Sequence, residues 1–146
     1  MLLAVDLGLN TAWSLWDTDG LLQDFQSRRF TNRTKLKSGV PTILRSLPSL
    51  EVVVAEGDAR LAKVWFGFNK EWETELVQAQ NWRPDLLPKR DRRSGSQAKE
   101  KAIQLAADII RHDGCGKGQP DRLNHDTAEA ILLGYWAVKQ RGWRFD

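Results

Sequence analysis

Two short apolar runs dominate the pattern of the chain. Residues 2–7 (LLAVDL) and the Val-rich core of residues 51–56 (EVVVAE) lack polar alternation, as strands covered on both faces do. Residues 12–17 (AWSLWD) predict a second strand. Asp17-Thr18-Asp19-Gly20 then reads as the turn of a hairpin, because Asp-Gly tolerates the positive φ such turns need. A third strand fits Leu22–Phe30. Residues 38–47 predict a helix, with Val40, Ile43, Leu44 and Leu47 on one face, Ser38 as N-cap and Pro48 at the stop. Further helices are expected at Asp58–Phe66, Ser96–His112 and Asn124–Gln140, and a strand at 74–80. Pro84, Pro88, Gly95 and dense charge make 81–96 a loop, and the glycines of 113–120 another. The order β-β-β-α-β-α-β-α-α predicts an α/β protein, a mixed sheet with helices on both faces.

Composition limits the class. At 146 residues, 41% hydrophobic and 28% charged, the chain is expected to form one domain, 1–146, with a substantial core. No apolar run approaches the roughly 20 residues of a bilayer span, so no membrane partner is expected. MLLAVDLG carries no basic n-region and no cleavage site, and reads as a strand rather than a signal peptide. The single cysteine, Cys115, excludes an intrachain disulfide and a cysteine zinc cage, and a reducing, intracellular setting is expected.

Charge adds a partner. The net charge is only +3, but it is unevenly spread. Arg28, Arg29, Arg33, Lys35 and Lys37 follow one another without an acid. Lys89, Arg90, Arg92, Arg93, Lys99 and Lys101 are offset only by Asp91 and Glu100. Such runs suit a phosphate backbone, though a solvated surface accounts for either one alone. Most of the seven Trp residues are expected in the core or at a dimer interface, with one or two available to stack on bases.

The chemistry lies in four acids. Asp6 interrupts an apolar strand, where a charge is costly unless paired or bound to a metal. Glu56 ends the other buried strand. If the two strands are parallel neighbours, both carboxylates emerge at the sheet edge where open α/β sheets bind ligands. Asp126 and Glu129, three apart at the start of the last helix, share one face. Singly, Asp6 reads equally well as a cap for the Gly8 turn, Asp126 as a common first-turn acid, and Glu56 and Glu129 as solvated positions. Jointly they form a hard-oxygen set suited to Mg²⁺ or Mn²⁺, and two such ions serve phosphodiester hydrolysis.

At these residues the chain resembles the RuvC family of Holliday junction resolvases. LLAVDLGLNTAWSLWD is similar to that family's first hairpin, VVVAEG to its fourth strand and HDTAEAILLGYW to its closing helix. Asp6, Glu56, Asp126 and Glu129 thereby match its four metal-binding catalytic acids. SGSQAKEKAIQLAADII resembles the preceding helix, whose basic residue near the scissile phosphate matches Lys99, with Lys101 the neighbouring candidate. The resemblance implies an RNase H-like fold: a mixed five-stranded sheet whose first three strands are antiparallel. It implies a structure-selective endonuclease that nicks four-way DNA junctions symmetrically during recombination or processing of replication intermediates. It also implies two Mg²⁺ per site, with Mn²⁺ able to substitute, and a homodimer. Arg28, Arg29, Arg33, Arg90, Arg92, Arg93 and Lys101 would hold the junction arms, and the helix with Leu61, Val64, Trp65 and Phe66 would form the interface. The expected location is cytoplasmic and nucleoid-associated, or otherwise intracellular for a virus-encoded protein.

The family pattern is not followed throughout. Glu129 stands where the bacterial family commonly has Asp. No aromatic follows Glu56 to probe the junction centre, and Trp65 or Phe66 would have to substitute, although core packing accounts for these two residues, and for Leu61 and Val64, at least as well. Gly114-Cys115-Gly116-Lys117-Gly118 is not a Walker loop, since no Ser or Thr follows the Lys. His125 is placed either to assist proton transfer or to orient its helix. Alternative readings are a nuclease for other branched DNA or RNA, a non-catalytic nucleic-acid-binding module, and an ATP-binding domain of the actin and sugar-kinase type, suggested by Asp6-Leu7-Gly8.

Overall fold

The computed structural model describes residues 1–92, 94–115 and 122–146. A five-stranded mixed sheet organises them. Strand β1 (Leu2–Asp6) pairs antiparallel with β2 (Asn10–Trp16), and β2 with β3 (Leu22–Arg29). On its other side β1 runs parallel to β4 (Val52–Glu56), which runs parallel to β5 (Glu73–Val77). The order β3-β2-β1-β4-β5 puts the two apolar runs side by side at the centre, where both faces are covered. This is the mixed sheet with three antiparallel leading strands expected from the sequence. The hairpin turn ends on Gly20 at φ 75°.

One face of the sheet packs Leu3, Val5, Trp13, Leu15 and Val53 against helix α1 (Arg33–Ser46) and helix α2 (Ala59–Phe66). The other packs Leu2, Ala4, Trp16, Val52 and Val54 against α3 (Ala79–Leu86), α4 (Gly95–Asp113) and α5 (His125–Gln140). No helix among the described residues is long and apolar enough to cross a membrane.

Two sequence expectations fail locally. Helix α1 begins at Arg33 rather than Ser38, because Asn32 caps it by accepting from the Lys35 amide at 2.9 Å. Ser38 lies inside the helix and its hydroxyl donates back to the Lys35 carbonyl. The segment read as loop from 81 contains most of α3. There Trp82 is wholly buried, and the Asn81 side chain accepts from the Gln78 amide at 2.7 Å. Burial of one indole outweighs the missing N–H of Pro84, which costs a single bond near the helix end. A 3-10 turn, Lys89–Arg92, follows. Five of the seven Trp, at 13, 16, 65, 82 and 136, are buried in the two cores.

Helix α5 lies unusually close to the sheet. The Ser14 hydroxyl donates to the Ala130 carbonyl at 2.7 Å and accepts from the Trp16 indole N–H at 2.8 Å. Gly134 rests on that indole, and a Cβ there would strike both the Trp16 ring and the Ser14 hydroxyl. The connection from α4 to α5 is fastened at both ends to β3. Asp113, its side chain fully buried, accepts from the Leu22 amide at 2.9 Å and from Arg144 at 2.7 Å. At the other end Arg122 pairs with Asp24 at 3.1 Å. Gly134→Ala is expected to destabilise the fold by about 1–3 kcal/mol through overpacking, read as a lowered urea midpoint with the slope retained.

Candidate active site

Parallel pairing of β1 with β4 sets Asp6 directly opposite Glu56. In-register residues of parallel strands project to the same face. The alternation of the two strands makes that the face of α5, since Leu2 and Ala4, Val52 and Val54 all pack there. Gly57, at φ 129° and against the Leu7 side chain, turns the chain immediately after Glu56.

Helix α5 brings the other two acids. Asn124 caps it, accepting from the Thr127 amide at 2.9 Å while Thr127 Oγ1 accepts from the Asn124 amide at 2.8 Å. The helix therefore starts at the sheet edge that carries Asp6. Asp126 sits half-exposed in the first turn, and Glu129, 5% exposed, points inward one turn later. Glu56 is equally enclosed at 8%. The solvated-surface alternatives for Glu56 and Glu129 are thereby excluded.

Burial and mutual repulsion shape the electrostatics. Asp6 is pushed up to about 7, first by desolvation, then by the charges of Glu56, Glu129 and Asp126, with Arg83 opposing. Glu56 is also raised, chiefly by burial and further by Glu129, while Arg83 and the neighbouring Trp82 indole favour its ionised form. Burial comes first in both carboxyls, and the like charges around them add to it. Around Glu129 the partners are explicit. Arg83 Nη2 donates to Oε2 at 2.9 Å, and His125 Nε2 lies 3.3 Å from Oε1. His125 also stands 3.9 Å from Asp126. It therefore stands between the two helix acids.

Arg83 is the residue at the acidic cluster that sequence reasoning missed. It belongs to α3, whose existence Pro84 and Pro88 obscured; burial of Trp82 was the available signal. The cation acting on Asp6 and Glu56 is Arg83. Lys99 is exposed, but it extends by one turn the buried stripe of Ala102, Ala106 and Ile109 on α4, and so lies at the inward edge of that helix. Lys101 lines a different groove, with Leu86, Leu87 and Gln104.

The other basic residues separate by place. Arg28 and Arg29 close β3 at the sheet edge of Asp6: Asp6 pairs with Ala12, and Ala12 with Ser27. Two strand spacings, about 10 Å, divide β3 from the strand of Asp6. With Thr31, Lys35, Ser38 and Thr42 they line a cleft of about 460 Å³ against α1. Arg33 is exposed in the first turn of α1 and Arg90 is exposed in the 3-10 turn. Arg92 ends that turn, and Arg93 lies outside the described residues. Trp65 is no interface or junction-probing residue. It is fully buried and packs on Trp13 with ring centroids 6.2 Å apart, whereas Leu61, Val64 and Phe66 remain partly exposed. Cys115 is buried, which pushes its thiol up to about 11 and makes it a poor nucleophile.

The donor set at the acidic cluster is all carboxylate oxygen, which suits Mg²⁺ or Mn²⁺. Among the described residues no three His, Cys, Asp or Glu side chains stand close enough together to cage a metal ion. Arg83 occupies one oxygen of Glu129 instead.

No protein-family model matches the chain, and no curated protein matches it in sequence. Its fold is similar to that of a Fowlpox virus resolvase whose crystal structure is a complex with substrate Holliday junction DNA. The two agree with a TM-score of 0.64 over 96% of this chain and 97% of that one, at 18% identity. The fold is thus the resolvase, RNase H-like α/β architecture.

Because the folded-state pKa of Asp6 is raised, folding binds a proton between the ordinary carboxylate range and about 7. Stability without metal is therefore expected to fall as pH rises through that window and to level off above it. Asp6→Asn should flatten the slope and, at pH 8 in EDTA, raise stability by a few kcal/mol. Urea midpoints measured across pH test this; a wild-type slope unchanged by the substitution would count against the assignment.

Proposed function

We propose that the protein is a metal-dependent endonuclease of the RuvC-like kind that resolves four-way DNA junctions. The observation that carries this reading is the convergence of four carboxylates, two of them buried, at one sheet edge beside a basic cleft. Buried like charges are not retained for stability. Asp6, Glu56, Asp126 and Glu129 would hold two Mg²⁺, or Mn²⁺, which when bound supply Lewis-acid activation of water and neutralise charge on the phosphate.

The chain's own residues supply the remainder. The strand pair holds Asp6 and Glu56 rigidly, and α5 delivers Asp126 and Glu129 with little freedom because Ser14 and Trp16 fix it to the sheet. Lys99 is assigned to the scissile phosphate. Arg28, Arg29 and Lys35 lie on the α1 side of the same edge, so a duplex crossing that edge would meet the cations with one backbone and the acids with the other. Arg33, Arg90, Arg92, Arg93 and Lys101 extend the backbone contacts. A homodimer would present two such edges to opposed strands. The likeness to a junction resolvase over nearly the whole chain supports the choice of substrate.

Incubation with synthetic four-way junctions, forks, flaps, duplexes and RNA hybrids in Mg²⁺ tests the reading. Paired symmetric nicks in the four-way junction are expected, and Asp6→Asn or Glu56→Gln should slow them by about 10³-fold, roughly 4 kcal/mol of barrier. Equal cleavage of linear duplex would overturn the junction preference, and cleavage unaffected by Asp6→Asn would overturn the site. Replacing Arg28 and Arg29 together with Gln should weaken binding to all junction sequences alike. It should also reduce the slope of log affinity against log salt by about 2; an unchanged slope would remove the cleft from the interface.

A further inference from the structure

We propose that Arg83 is the resident counter-ion of the acidic cluster, and that a divalent cation enters by displacing it from Glu129. The inference rests on the metal-site reading above. Glu129 is buried, so its charge requires a partner in the absence of metal. Arg83 provides one at 2.9 Å and also lies within electrostatic reach of Asp6 and Glu56. Oε2 of Glu129 is thereby bonded to Arg83, and His125 Nε2 lies 3.3 Å from Oε1. Among the described residues no three acids stand close enough together to form a cage.

The pair has room to open. About a third of the Arg83 side chain faces solvent, which leaves the guanidinium a path outward. It rises from a two-turn helix that carries Pro84 beside it. Metal and Arg83 therefore compete for one carboxylate oxygen, and each lowers the affinity of the site for the other.

Calorimetric titration of Mn²⁺ into the full chain, wild type and Arg83→Gln, tests this. The variant is expected to bind Mn²⁺ on the order of tenfold more tightly. Its melting temperature should fall in EDTA and recover in Mn²⁺ by more than the wild type gains. Equal or weaker Mn²⁺ binding by a folded variant would overturn the displacement and leave the metal site standing. No Mn²⁺ binding by the wild type would overturn the metal reading and the displacement together. Should Arg83→Gln not fold, phenylglyoxal labelling of the wild type, read by mass spectrometry, decides the matter. Arg83 is expected to be protected without metal and reactive with it, and the same reactivity in both states would overturn the inference.

Discussion

The register of β1 against β4 is the constraint on which everything else depends. Because the strands are parallel and in step, Asp6 and Glu56 must share one face. A slip of one residue would send one of them into the packing against α1 and α2. Register is enforced by the buried Leu and Val of both strands, all of them at or near zero exposure. The apolar core thus acts as the positioning device of the polar site. The cost is that two carboxylates are held together and apart from water, with Glu129 added from above. That cost is met in part by Arg83.

Much of this was legible in the sequence because strong hydrophobic signals lay next to the chemistry. The two apolar strands each end in an acid, and the last helix carries its acids in the first turn, so pattern and site coincide. Where the pattern was interrupted, sequence reasoning faltered. Pro84 and Pro88 concealed α3, since proline argues against a helix locally while the burial of Trp82, a tertiary effect, decides for it. Arg83 was lost with that helix. The start of α1 was misplaced because Ser38 and Asn32 are both acceptable caps, and only the packing of Leu36 against the sheet distinguishes them. Trp65 shows the opposite failure: an aromatic on an amphipathic helix reads alike as core and as interface.

The two faces of the sheet divide the labour. One side carries α3, α4 and α5 with all four acids. The other carries α1 and the basic cleft ending at Arg28 and Arg29. Since β3 lies at the sheet edge and only β2 separates it from β1, the positive and negative regions are neighbours without neutralising one another. Segregation of this kind keeps the positive cleft and the acidic cluster distinct on the two faces of one sheet.

The fastening of the α4–α5 connection to β3 has a mechanical meaning. Asp113 anchors one end on Leu22, and Arg122 anchors the other on Asp24. The end of α4 and the approach to α5 are thus tied to one edge strand, so the first turns of α5, and with them Asp126 and Glu129, take their place from the sheet.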